Sequence, residues 1–290
     1  MALAWVLGAL AVYAGLLFAA AAWADGARAR LDRSLQRRSL IYALGLAVYC
    51  TSWTFYGAVG EAARQGWDYL PIYLGPALLF LAGFGVIRRL VRLGRDHDSA
   101  SIADFLSARY GKSSSVAAAA TLLLLLSSLP YIALQLRSAE ASLEMITGAP
   151  LGGGAGPVSL LAAAVFAGFA IAFGLRHADT AHANRGFAVA IAIESGVKLA
   201  AMTAVGLFAA VLLAGLEPAV LARAWRDSAL SAPGLDFRFL VLTLLAAFAA
   251  LCLPRQFHMM VVEAVRPRDA ERARILFPAY LLGVALVPPL

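Results

Sequence analysis

Charge is scarce in this chain. Asp, Glu, Lys and Arg supply only 14% of its 290 residues, where a water-soluble domain carries about a quarter, so a solvated globular surface along most of the length is excluded. Cysteine is scarcer still. Cys50 and Cys252 are the two, both inside apolar segments with no CxxC spacing and no neighbouring metal-type ligands, which argues against a disulfide framework or a zinc site. Also lacking are a Walker-type phosphate loop, a metalloprotease motif, a nucleophile elbow and a kinase signature, so this stretch offers no evident catalytic centre. There is no short internal repeat and no coiled-coil heptad run.

What the chain has in excess is long apolar runs. Its hydrophobic fraction is 62% and its mean hydropathy +0.79. Turn residues and charges divide it into helices expected near 3–23, 40–60, 70–93, 116–146, 158–175, 186–213, 238–262 and 275–290. Each is about 20 residues long, enough to cross a hydrocarbon core of about 30 Å at about 1.5 Å per residue. The first run has no basic start and is longer than a secretory signal core, so it reads as a span. The expected fold class is all-α, a polytopic helical bundle in the lipid bilayer.

The net charge of +7 would suggest nucleic acid for a soluble protein, but here the arginines cluster in short loops beside apolar runs and serve as topology signals. Arg28, Arg30, Arg33, Arg37 and Arg38 follow the first run, which places that loop inside and the N-terminus outside. Arg88, Arg89, Arg92, Arg95, Arg109 and Lys112 mark the third loop as internal. Arg176 and Arg185 do the same for the fifth, and Arg266, Arg268, Arg272 and Arg274 for the seventh. The loops 61–69 and 148–157 are nearly free of basic residues and read as external, as does 217–236, where acids balance Arg223 and Arg226. The last helix would stop at its exit on Pro288, Pro289 and Leu290, as expected of a piece of a longer protein. Residues 99–112 read as a short amphipathic cytoplasmic helix with Ile102, Phe105, Leu106 and Tyr110 on one face and Gly111 closing it.

The second helix carries the block Tyr49-Cys50-Thr51-Ser52-Trp53-Thr54-Phe55-Tyr56-Gly57, with Gly60 beyond. Hydroxyls compete for backbone groups and glycine costs about 1 kcal/mol relative to alanine in a helix. One reading is an unwound segment whose carbonyls and hydroxyls hold a cation and whose aromatics contact a solute. The other is close helix packing through small residues. Glu194 and Lys198 sit i,i+4 within an apolar run. Charges inside a span cost about 2.5–3.5 kcal/mol each, so they line a solute or proton path or form a structural ion pair. Gln135, Arg137, Glu140 and Glu144 lie late in the fourth helix, at an external vestibule or a solvated helix end. In the seventh helix, Pro254 breaks the span, with Gln256 and His258 just past it. Arg255 and Glu263 there read as boundary charges, His177 and His182 as loop residues.

Several stretches together carry a family likeness. They are VYCTSWTFYGAVGEAARQGWDYLPIYLGPALLF (48–80), SIADFLSARYGKS (101–113), LPYIALQLRSAEASLE (129–144), FGLRHADTAHANRG with AIAIESGVKL (173–199) and LPRQFHMMVVE (253–263). In this order they resemble the sodium/solute symporter family, and most of all the symporter-like membrane domain of bacterial nutrient-sensing sensor histidine kinases. The resemblance implies a leucine-transporter-type inverted-repeat fold, present here in part and with one extra N-terminal helix, in the bacterial inner membrane. It implies breaks in the second and seventh helices and a solute site built from Thr51, Ser52, Trp53, Tyr56, Glu194 and Lys198. It also implies a Na+ ion held by the backbone carbonyls of Ala47 and Cys50, with Tyr49 standing where proline-type symporters have an aspartate. The hydroxyls of the eighth core helix would come from beyond Leu290. The implied partners are a small polar solute of amino-acid type and, in the full-length protein, a cytoplasmic histidine kinase module with its response regulator. A stand-alone symporter is the alternative; nucleic acid is not an expected partner.

Overall fold

Backbone inside hydrocarbon must satisfy its own N–H and C=O groups, and a helix does so without help from a neighbour. The computed structural model describes residues 2–27, 35–148, 156–169, 171, 185–231, 234, 236–264 and 267–290, and every regular element among them is helical. In order, the helices are α1 (Ala2–Gly26), α2 (Leu35–Leu46), α3 (Ala58–Gln65), α4 (Pro71–Leu81), α5 (Phe84–Asp96), α6 (Ile102–Arg109), α7 (Ser114–Thr147), α8 (Pro157–Phe169), α9 (Arg185–Ala214), α10 (Pro218–Asp227), α11 (Phe237–Cys252), α12 (Pro254–Phe257) and α13 (Pro267–Ala285).

Among the described residues, three of these helices (α1, α7 and α9) are long and apolar enough to cross a membrane unbroken. The number is up to five if each of two bent pairs is one span: α4 with α5, which meet at 74°, and α11 with the turn that follows it, at 63°. The leucines of α7, among them Leu122, Leu123, Leu125 and Leu126, stand on its exposed side, as suits an apolar solvent. The segments 35–65, 157–169 and 267–285 fall short of an unbroken span. The first is interrupted, the second is 13 residues long as described, and the third opens on Arg268, Asp269, Glu271, Arg272 and Arg274.

The single helix expected over 70–93 is corrected: the chain bends sharply at Ala82–Gly83. The reason is a change of solvent. Arg88, Arg89, Arg92 and Arg95 are all exposed on α5, while Phe84, Ile87, Val91 and Gly94 form its buried face, so α5 is amphipathic and leaves the apolar path of α4. The amphipathic helix expected near 99–112 exists as α6, capped by the Ser101 hydroxyl, which accepts from Asp104 N–H at 3.1 Å, and followed by Gly111 at φ 65°. Its buried residues are Ala103 and Ser107, whereas Leu106 and Tyr110 are exposed. Of the expected apolar face, Ile102 and Phe105 pack against the core, the Phe105 ring 5.5 Å from that of Phe257.

The core gathers α2, α4, α13 and the segment 253–264 around the fully buried Tyr69, Tyr73, Phe80, Phe257 and Phe277. Gly75 lets α4 lie directly on α11, because any Cβ there would run into the Thr243 carbonyl and the Ala247 nitrogen. On the other side, α1 packs on the start of α9 through Ala21 and Ala24 against Ala190 and Val189. Asp25 Oδ1 accepts from the Gly186 N–H at 2.7 Å, which satisfies one of the orphan donors at that helix start.

Candidate functional site

Two helices lose their regular hydrogen bonding partway along, one within the hydroxyl- and aromatic-rich block 49–57 and one at Leu253–Pro254. After α2 the chain tightens into a 3-10 turn at Ala47–Tyr49 and then extends at Cys50, with φ −77° and ψ 119°. It rewinds through a π-helical turn, Trp53–Gly57, into α3. Further on, α11 ends at Cys252 and Leu253 is extended, with φ −66° and ψ 124°. Pro254 opens the next turn, where its missing N–H is no loss, and a second π-helical turn follows at His258–Val262. Single π turns within helices are frequent at functional sites. The two breaks meet, since the turn Pro254–Phe257 packs against Ala47–Tyr49.

An extended residue that interrupts a helix leaves a carbonyl without its helical partner, and such a group, when buried, must be satisfied by something else. At the first break this is done by a cation of the protein itself: Lys198 Nζ donates to the Cys50 carbonyl at 2.8 Å and lies 3.1 Å from Glu194 Oε1. The Ala47 carbonyl accepts from Cys50 N–H at 2.9 Å. Both carbonyls that the family resemblance assigns to sodium are thus engaged. A sodium ion at the Cys50 oxygen would sit against the Lys198 ammonium, a like-charge contact that this donor set does not favour.

Next along the chain, the Thr51 N–H donates to Thr54 Oγ1 at 3.2 Å. Ser52 is held by Gln135 on α7, whose Oε1 accepts from the Ser52 N–H at 3.2 Å and from its hydroxyl at 2.8 Å. Trp53 has its ring centroid 6.4 Å from that of Tyr73, and its indole covers Gly57 so closely that no Cβ fits there. Tyr56 goes elsewhere. Its hydroxyl shares a 2.6 Å hydrogen bond with Ser142 near the end of α7, and the side chain is exposed.

The second break contributes Arg255, whose guanidinium carbon lies 4.3 Å from the centroid of the Tyr131 ring on α7, close enough for a cation–π contact. Gln256 is fully buried with both amide atoms unpaired. His258 faces away from this group, with Nε2 3.4 Å from Glu263 Oε1 and its ring edge-on to Phe187. The Tyr42 hydroxyl ties the second segment to α2 by donating to the Met260 carbonyl at 2.7 Å.

Of the residues expected to act together, Ser52, Lys198 and Glu194 join one polar group, and Thr51 and Trp53 border it; Tyr56 and His258 stand apart. Gln135, expected at a vestibule or a solvated end, instead grips the broken helix, and Glu140 on the same helix is buried. Arg255, read as a boundary charge, faces Tyr131 within the group, a position signalled in sequence only by its place directly after Pro254. His177 and His182 lie outside the described residues. Compared with known proteins, the chain matches no family model, no curated protein and no solved structure.

Proposed function

We propose that this chain is a membrane-embedded solute-binding domain of symporter type, which senses or moves a small polar solute of amino-acid kind as the input part of a two-component sensor histidine kinase. In this reading the eight apolar runs cross a bacterial inner membrane from an external N-terminus, the bundle is part of an inverted-repeat transporter fold, and a cytoplasmic kinase module and its response regulator receive the signal. One observation carries the proposal. The extended backbone at Cys50 and at Leu253 lies in two segments that pack on each other, and a group of uncompensated polar side chains gathers beside them. Broken helices paired in this way are how many transporters build a solute site at mid-membrane depth. The signalling part of the reading rests on the sequence resemblance.

Positive charge beside the first break belongs to Lys198 in this reading, and the protein's own residues do the work. Ser52 and Gln135 offer hydroxyl and amide groups, Trp53 shields one side, and the Glu194–Lys198 pair holds the unwound backbone open. The test is solute response in the full-length protein reconstituted in liposomes, read as autophosphorylation and as uptake of labelled amino acids. Ser52→Ala and Trp53→Ala are expected to abolish both readouts while membrane insertion is retained. Unchanged response and uptake in both variants would remove the site assignment.

A further inference from the structure

Beside the two breaks, several buried hydrogen-bond donors are left without acceptors. Arg255 Nε is buried and has no acceptor, and among the described residues the guanidinium has no carboxylate partner; its contact is the Tyr131 ring face. The Tyr131 hydroxyl is likewise buried and unpaired. Gln135 lies four residues further along α7, on the same face. Its oxygen is spent on Ser52, which leaves the buried Nε2 without an acceptor. The nearby acids have other partners: Glu194 pairs with Lys198 and Glu263 with His258.

A guanidinium whose Nε–H is buried without an acceptor leaves a charged donor unsatisfied, which is costly. Glu194 neutralises Lys198, and the Arg255 guanidinium is left without a carboxylate among the described residues. A partner that completes the group is a monoanion with planar acceptor oxygens. The free Nε–H is one prong of the fork by which arginine grips a carboxylate side-on.

We propose that the solute is a carboxylate and that Arg255 binds its carboxylate group, with Gln135 Nε2 and the Tyr131 hydroxyl as additional donors. This rests on the solute-binding reading above and adds to it the chemical class of the ligand and the residue that selects it. The stacking of the guanidinium on Tyr131 holds the fork in place before the solute arrives, so that less side-chain freedom is lost on binding.

The experiment uses the chain in lipid nanodiscs, with tryptophan fluorescence and thermal unfolding as readouts. The probes are the twenty common amino acids, acetate, lactate and succinate, the carboxamide of each acid that binds, a set of neutral hexoses and polyols, and inorganic phosphate. At least one carboxylate is expected to bind, and its carboxamide on the order of tenfold to a hundredfold more weakly, the scale of a charged hydrogen-bonded contact. Arg255→Gln is expected to erase that preference by weakening the acid and sparing the amide. Arg255→Lys should retain part of it, and Tyr131→Phe, which keeps the ring under the guanidinium, should weaken the acid several-fold. A hexose, polyol or phosphate as the tightest binder overturns the proposal while leaving a solute site in place. An acid-over-amide preference that survives in Arg255→Gln, or one that is undiminished in both Arg255→Lys and Tyr131→Phe where the glutamine variant does not fold, overturns it as well. No response to any probe overturns both this proposal and the solute-binding reading.

Discussion

Lys198 and Cys50 are 148 positions apart in sequence, yet the lysine ammonium donates to the cysteine's backbone carbonyl at 2.8 Å. Cys50 is the extended residue at which the first broken helix loses its regular bonding, so the side chain of α9 substitutes for an N–H that helical geometry no longer supplies. The same ammonium lies 3.1 Å from Glu194 one turn earlier. A pair that sequence alone leaves as either a path or a staple therefore has a third partner, and the broken backbone and the ion pair form one unit.

Lys198→Met is expected to destabilise the protein, because it leaves a carbonyl and a carboxylate in an apolar setting without their donor. An unsatisfied buried polar group costs about 1–3 kcal/mol, and the Glu194 carboxylate adds to it. Thermal unfolding in nanodiscs checks this. Glu194→Gln in the same chain should restore part of the loss, and a double variant no more stable than Lys198→Met alone would contradict the three-way link.

Gln135→Leu and Ser52→Ala should be non-additive. The glutamine removes both bonds to residue 52, whereas the serine variant removes only the hydroxyl bond and keeps the backbone one. Interhelical polar contacts in bilayers average about 0.6 kcal/mol, with a maximum near 1.7, so Gln135→Leu is expected toward the upper end and Ser52→Ala toward the average. A double-mutant cycle in unfolding free energy measures the coupling, and strictly additive losses would refute the contact.

The all-helical, apolar character and the bounds of α1, α7 and α9 were legible in sequence, because hydrocarbon thickness sets a minimum length for an apolar run. Pro254 marked the second break directly, since it removes a backbone donor. The first break was visible only as a zone, because hydroxyls and glycines weaken a helix without fixing where it gives way; the extended residue is Cys50, ahead of Gly57 and Gly60. What sequence did not show depends on contacts between distant segments. That Tyr56 turns to Ser142 rather than to Lys198, that Gln135 holds Ser52, and that Arg255 lies on Tyr131 all follow from how α7 and α9 pack beside the two breaks. The bend at Gly83 was hidden for another reason: α4 and the buried face of α5 together supply an apolar run as long as one span.

Gly75→Ala is expected to cost stability well beyond the usual helix preference for alanine. The new methyl would meet the backbone of α11 at Thr243 and Ala247, which cannot rotate away as a side chain would. Overpacking of this kind costs about 1–3 kcal/mol, against the gain of about 1 kcal/mol that alanine brings to an isolated helix. Gly85→Ala is the control: no atom lies within 4 Å of a Cβ there, so the helix preference alone acts and stability should hold or rise. Equal unfolding temperatures for the two variants would rule out direct backbone contact between α4 and α11.

Tyr42→Phe tests whether the second break needs its tie to the first helix. The hydroxyl donates to the Met260 carbonyl at 2.7 Å in a fully packed setting, and Met260 belongs to the π-helical turn His258–Val262. Tyr69→Phe serves as comparison, since its hydroxyl donates to the Ala285 carbonyl at 2.9 Å, at the far end of α13, and this bond joins neither broken segment. Each variant should lose on the order of 1 kcal/mol of stability, as expected for one buried bond. Only Tyr42→Phe should also weaken solute response, because only that bond fixes the segment carrying Arg255 against the segment leading to Cys50. Equal effects of the two variants on response, measured with the same solute, would show that Tyr42 contributes to stability alone.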